Sequence, residues 1–238
     1  DEAVDSYYKA LERDEKNYHV LVHLFDLLVA KKDYDSAYPC GEVICENYPI
    51  DPERIPDMIR ASLATKNFQN LLSFCEAVLN VEGDIGGISK PIAAALILTA
   101  KHLASNKSNR DTVIEAVRRG VGLTDHNGPI FITALETLLK VENLKDTKKL
   151  LDEIPSDEMD EDLLFIDLHY SYLEFGPDNA FNKAQELIKI DRANEKAIEL
   201  MLKAGKEVGK PQDKLEDMAY DAAKVFPELK DHFLSLIN

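Results

Sequence analysis

A small or aliphatic residue that opens an amphipathic run recurs at Ala3, Ala37, Leu71, Val113, Thr147, Ala180 and Leu215, and every interval but one lies within a residue of 34. The runs AVDSYYKALERDEKN (3–17), SAYPCGEVICENYPID (36–51) and LLSFCEAVLNVEG (71–83) each end in a polar turn. A period of this length argues for stacked helical hairpins, because one hairpin cannot bury its own apolar face and must lean on the next. Helix-stopping chemistry keeps the same beat at Asp14-Glu15, Tyr48-Pro49, Glu82-Gly83, Thr124-Asp125, Pro155, Asp191-Arg192 and Phe226-Pro227.

The pattern predicts about fourteen helices. The first covers 2–13, and pairs follow at 18–31 with 34–47, 52–65 with 68–81, 89–104 with 110–122 and 128–141 with 144–154. Further pairs cover 160–174 with 178–190 and 195–208 with 212–225, and Glu228 to Ile237 forms a cap. The units are then a partial one at 1–17, followed by 18–51, 52–85, 86–127, 128–160, 161–194 and 195–228, with the cap at 229–238. The extra residues of the long fourth unit fall either in Gly83 to Ser89, where the glycines cannot sustain helix, or in the polar turn Ser105 to Arg110. No stretch alternates as a strand would, and Ala, Leu, Lys, Glu and Asp dominate, so the expected class is all-α with one elongated domain over 1–238.

The charge balance narrows the partners. With 28 basic against 44 acidic residues the formal net charge is −16, and such a surface repels nucleic-acid phosphates. Two readings of the charge stand: solubility of a long solvated surface, or attraction of a basic partner segment. No apolar run reaches the length of about 18 residues that a membrane helix needs, so no membrane insertion is expected. Cys40, Cys45 and Cys75 make an odd count without a CxxC, which points to a reducing compartment and a cytoplasmic location. Cys45 and Cys75 lie in apolar stripes and read as core residues. The chain opens without Met on what should be a second helix, which implies a piece excised from a longer chain.

Motifs for chemistry are sparse. The sequence carries no phosphate-binding glycine loop, GxSxG, acidic calcium loop or paired-cysteine zinc spacing, so neither catalysis nor a cofactor is expected. His19 and His23 share a helix face at i and i+4 with Asp26 following, but Val20 stands where a zinc hydrolase needs its glutamate. The other reading has His23 packed and His19 facing a groove.

With Leu21, Leu24, Leu28, Tyr34, Ala37 and Pro49 at matching positions of residues 18–51, and Ala3, Tyr7 and Ala10 fitting in the first fragment, the chain resembles the tetratricopeptide repeats. It departs from them in having no tryptophan and in carrying Phe25 where the family has a small residue. The resemblance implies a right-handed α-α superhelix of about seven hairpins, the first incomplete, whose concave wall is lined by the first helix of each unit. Carried over, that wall selects His19, Val22 and Asp26, then Arg60, then Ile132, then Phe165, His169 and Tyr172, and finally Lys196, Lys203 and Lys206. The family's clamp for chaperone tails is not matched, since Val22, Asp26 and Asp57 occupy its basic and amide positions.

Two features of that wall suggest chemistry. Phe165, His169 and Tyr172 recur at i, i+4 and i+7 and either form an aromatic stripe, with Leu164 and Leu168 turned to the core, or are core residues themselves. Lys196, Lys203, Lys206 and Lys210 fall within about 80° of helix arc, as a solvated face or as a site for an anionic group. The expected function is a non-enzymatic scaffold or adaptor that binds a peptide or protein segment. A regulatory or substrate-positioning domain of a larger enzyme is the second expectation, and homo-oligomers through open repeat ends the third.

Overall fold

A computed structural model describes residues 2–49, 51–80, 86–106, 109–190 and 192–238. Among them the regular elements are all helical. The helices are α1 (Glu2–Leu11), α2 (Tyr18–Ala30), α3 (Tyr34–Asn47), α4 (Ile55–Ala64), α5 (Phe68–Leu79), α6 (Ser89–Ser105) and α7 (Arg110–Val121). They continue as α8 (Gly128–Lys140), α9 (Leu144–Asp152), α10 (Glu161–Phe175), α11 (Pro177–Ile190), α12 (Glu195–Glu207), α13 (Gln212–Val225) and α14 (Lys230–Ile237). None of them is long and apolar enough to cross a membrane.

Four hairpins share one turn design. Lys32, Lys66, Glu142 and Gly209 stand at the same place, just after α2, α4, α8 and α12, and all have positive φ, between 55° and 71°. Behind each, a backbone N–H reaches back over the helix end: Asp33 to Leu28 O at 3.0 Å, Asn67 to Ser62 O at 3.0 Å, Asn143 to Leu138 O at 2.8 Å and Lys210 to Gly205 O at 2.9 Å. This six-to-one bond satisfies a carbonyl that the helix end would leave open. The next residue then starts the second helix: Asp33 and Asn143 cap α3 and α9 by accepting from Ser36 N and Asp146 N. Asp160 and Asn194 cap α10 and α12 in the same way.

Helices pack on their hairpin partner and on the following hairpin, as α2 on α3, α3 on α4, α4 on α5, α10 on α11, and α11 on α12. Helices two apart also meet, α4 with α6, α10 with α12, and α12 with α14. Six of the seven recurring residues that set the sequence register, from Ala37 to Leu215, are at most 1 % exposed. Ala3 is the exception; it is exposed on α1, a helix with no buried residue.

Two compact units result, Asp1–Ala134 and Leu135–Asn238, and the division falls inside α8. In the first, Leu24, Phe25, Leu28, Ala37, Ile44 and Met58 form a core around α2 and α3. Phe25 fits although the position wants a small residue, because Gly41 on α3 leaves its space: a Cβ there would lie 2.9 Å from the Phe25 ring. The core of the second unit gathers Leu168, Phe181, Ala197, Leu202, Leu215 and Phe233. The same exchange recurs, since a Cβ at Gly205 would lie 2.9 Å from Phe181 and 2.7 Å from Leu215.

Local deviations from the expected helices have local causes. The predicted helix 52–65 begins as a 3-10 turn, Pro52–Arg54, before α4 starts at Ile55; Pro52 and Pro56 both lack the N–H that a continuous helix would use. Within Gly83 to Ser89, residues 86–88 form a 3-10 turn, while Gly83 lies outside the described residues, as do parts of the Ser105 to Arg110 turn and Asp191.

Candidate functional site

The side chains selected on α10 and α12 come together in the second unit. Asp162, in the first turn of α10, accepts a 2.7 Å hydrogen bond from Lys196 Nζ, and the same ammonium sits 5.5 Å from the centre of the Phe165 ring. A cation over an aromatic face gains from the ring's negative quadrupole. At the other end of the two helices, Tyr172 Oη donates to Glu207 Oε2 at 2.5 Å. Glu199 on α12 joins the next helix by a 2.5 Å contact to His232 Nε2 on α14. Neighbouring helices are therefore stitched by contacts that span 33 to 35 residues, and the sequence period reappears as bonded pairs.

Phe165, His169 and Tyr172 are each half-buried, and Tyr172 packs against the unit's core. Leu168 is fully buried and Leu164 partly so, as expected of the core-facing side. The stripe is thus partly exposed along its length, with Tyr172 also packed on the core. The rings of Phe165 and His169 lie 6.1 Å apart. Burial holds the His169 imidazole below the ordinary histidine range, so it stays neutral at neutral pH. The Tyr172 phenol is pushed up to about 12, first by its hydrogen bond to Glu207 and then by burial.

The lysine face is not the open basic patch that the helix alone suggests. Lys196 is matched by Asp162, Lys203 by Glu199 at 3.6 Å, and Lys210 by Asp178 at 3.4 Å. Lys206 alone of the four makes no ion pair among the described residues. The cause is the acidic excess: a carboxylate four residues before Lys203, or one repeat upstream of Lys196 and Lys210, neutralises each cation. Aligning charges at equivalent positions of adjacent repeats would have revealed this.

In the first unit the selected residues do not form one patch. Val22 is 7 % exposed and belongs to the core. Asp26 is exposed but held by Arg54, whose Nε and Nη2 reach the two carboxylate oxygens at 3.3 and 3.2 Å. Arg54 also pairs with Asp51, and its guanidinium is held above its ordinary range, first by the bond to Asp26. Arg60 is exposed and paired with Asp57, and Ile132 is half-buried.

His19 and His23 are both exposed. His23 is 6.2 Å from the Tyr7 ring of α1, and His19 lies edge-on to Tyr18. Among the described residues no three His, Cys, Asp or Glu side chains converge where a metal ion could sit. The three cysteines are free thiols.

Comparison with protein-family models and with curated proteins finds no match for this chain.

Proposed function

We propose that the protein is a non-enzymatic scaffold of tetratricopeptide-like hairpins, each unit a stretch of right-handed α-α superhelix, and that it binds a peptide or protein segment on the face of α10, α12 and α14. The observation that carries this reading is the set of contacts one repeat apart, Asp162 to Lys196, Tyr172 to Glu207 and Glu199 to His232, which align three neighbouring helices into one wall. On that wall the half-buried rings of Phe165 and Tyr172 offer apolar anchoring, and rings of this kind carry much of the energy of protein interfaces. The paired charges around them supply orientation, exchanging their internal partners for those of the ligand.

Capture of partners from the source cell, with the unaltered chain beside the Phe165→Ala and Tyr172→Ala variants, tests the reading. A partner held by the first and lost from both variants at unchanged helical signal is expected. Equal capture by all three overturns the assignment of this wall.

A further inference from the structure

A second surface lies on the side of α12 away from its lysines. There an open cleft of about 550 Å³ runs between α11 and α13, floored by Ile188, Met201 and Met218. Its rim carries Lys189 and Arg192 on one side and Lys224 with Asp221 on the other. Lys224 is satisfied by Asp221 at 2.6 Å. Lys189 and Arg192 are exposed and make no ion pair or side-chain hydrogen bond among the described residues. They share this with Lys206 and differ from Lys183, Lys196, Lys203 and Lys210 of the same unit, each matched by a carboxylate.

We propose that this cleft docks an acidic amphipathic segment of a partner protein. An apolar side chain would enter over Met201 and Met218, whose unbranched thioethers adapt to the shape of an anchor. Carboxylates on the same segment would meet Lys189 and Arg192, the guanidinium taking one of them through two parallel hydrogen bonds. Charge complementarity selects the occupant: two unmatched cations line the same apolar cleft, where one acidic segment can meet both. A cleft of this size admits a few side chains of a segment whose backbone stays outside. The inference is independent of the wall formed by α10, α12 and α14.

Panning a random dodecapeptide library displayed on phage against the whole protein tests it. The expected binders are acidic, with at least one large apolar residue, and their affinity falls as salt rises. The double variant Lys189→Glu with Arg192→Glu, both exposed positions, should weaken the selected peptides by about tenfold or more. Met218→Asp should weaken them likewise, while Tyr172→Ala leaves them unchanged. Enrichment of basic or uncharged peptides, or no enrichment, overturns the proposal. So does indifference to the double charge reversal, loss of binding in Tyr172→Ala alone, or occupation by dodecanoate without any acidic peptide.

Discussion

A methyl group added at Gly41 would collide with Met58 Sδ and come within 2.9 Å of the Phe25 ring. Glycine to alanine inside a helix ordinarily stabilises by about 1 kcal/mol, so the sign of the change reports the packing. Gly41→Ala is expected to destabilise by about 1 to 3 kcal/mol in urea unfolding, and by less in a Phe25→Leu background. A stabilised single variant would show that Phe25 does not depend on the missing side chain. Titration offers a second test. Burial pushes the Cys45 thiol up to about 11 and the Cys75 thiol to about 12. Since the thiolate is the reactive form, both should resist a disulfide reagent at mildly alkaline pH and react fully once the chain is unfolded. Fast labelling of Cys75 in the folded protein would contradict its burial. Tyr172 gives a pH window: its folded value of about 12 lies above the ordinary 10.0. Its contribution is therefore complete below pH 10.0 and is lost as pH climbs towards about 12. His169 acts in the opposite sense, because its folded value lies below 6.5; its contribution is present above that pH and is lost as pH falls through the folded value. Thermal melts of His169→Gln should lack the acid-side loss.

At the scale of the element, the recurring left-handed turn makes paired predictions of opposite sign. Lys32 and Lys66 occupy a conformation that costs a residue with a side chain about 1 kcal/mol or more, so Lys66→Gly should be neutral or stabilising. Gly209→Ala should destabilise by about 1 kcal/mol. Equal effects of the two changes in chemical denaturation would break the equivalence of the turns. All fourteen α-helices of the described residues were legible in the sequence, most of them to within two residues, because amphipathic runs and polar caps such as Asp33, Asn143 and Asn194 mark their ends locally. The 3-10 opening at Pro52–Arg54 escaped, since the apolar period continues through it. The candidate site was legible only in part. Phe165, His169 and Tyr172 share a helix and announce themselves by spacing, whereas the carboxylates that neutralise Lys196 and Lys210 sit on other helices. The burial of Val22 was not legible, because a position inherited from a repeat pattern does not record burial.

For the whole molecule, contacts that run mainly between adjacent hairpins make stability a sum of local terms. Amide exchange of the Gly41→Ala variant should therefore lose protection in α2 to α5 and keep it in α10 to α13; uniform loss would mean that the two units unfold as one. The stitching of charges one repeat apart also has a kinetic consequence. A wall whose lysines, Lys206 apart, are matched from within projects little field, so a ligand arriving at Phe165 and Tyr172 should associate near the unsteered rate of about 10⁵ to 10⁶ M⁻¹s⁻¹, with only a weak dependence on ionic strength. The unmatched Lys189 and Arg192 give the cleft between α11 and α13 a net attraction for acidic ligands, and arrival there should quicken as salt is lowered. Stopped-flow traces at two ionic strengths would then tell which of the two doors a ligand has used.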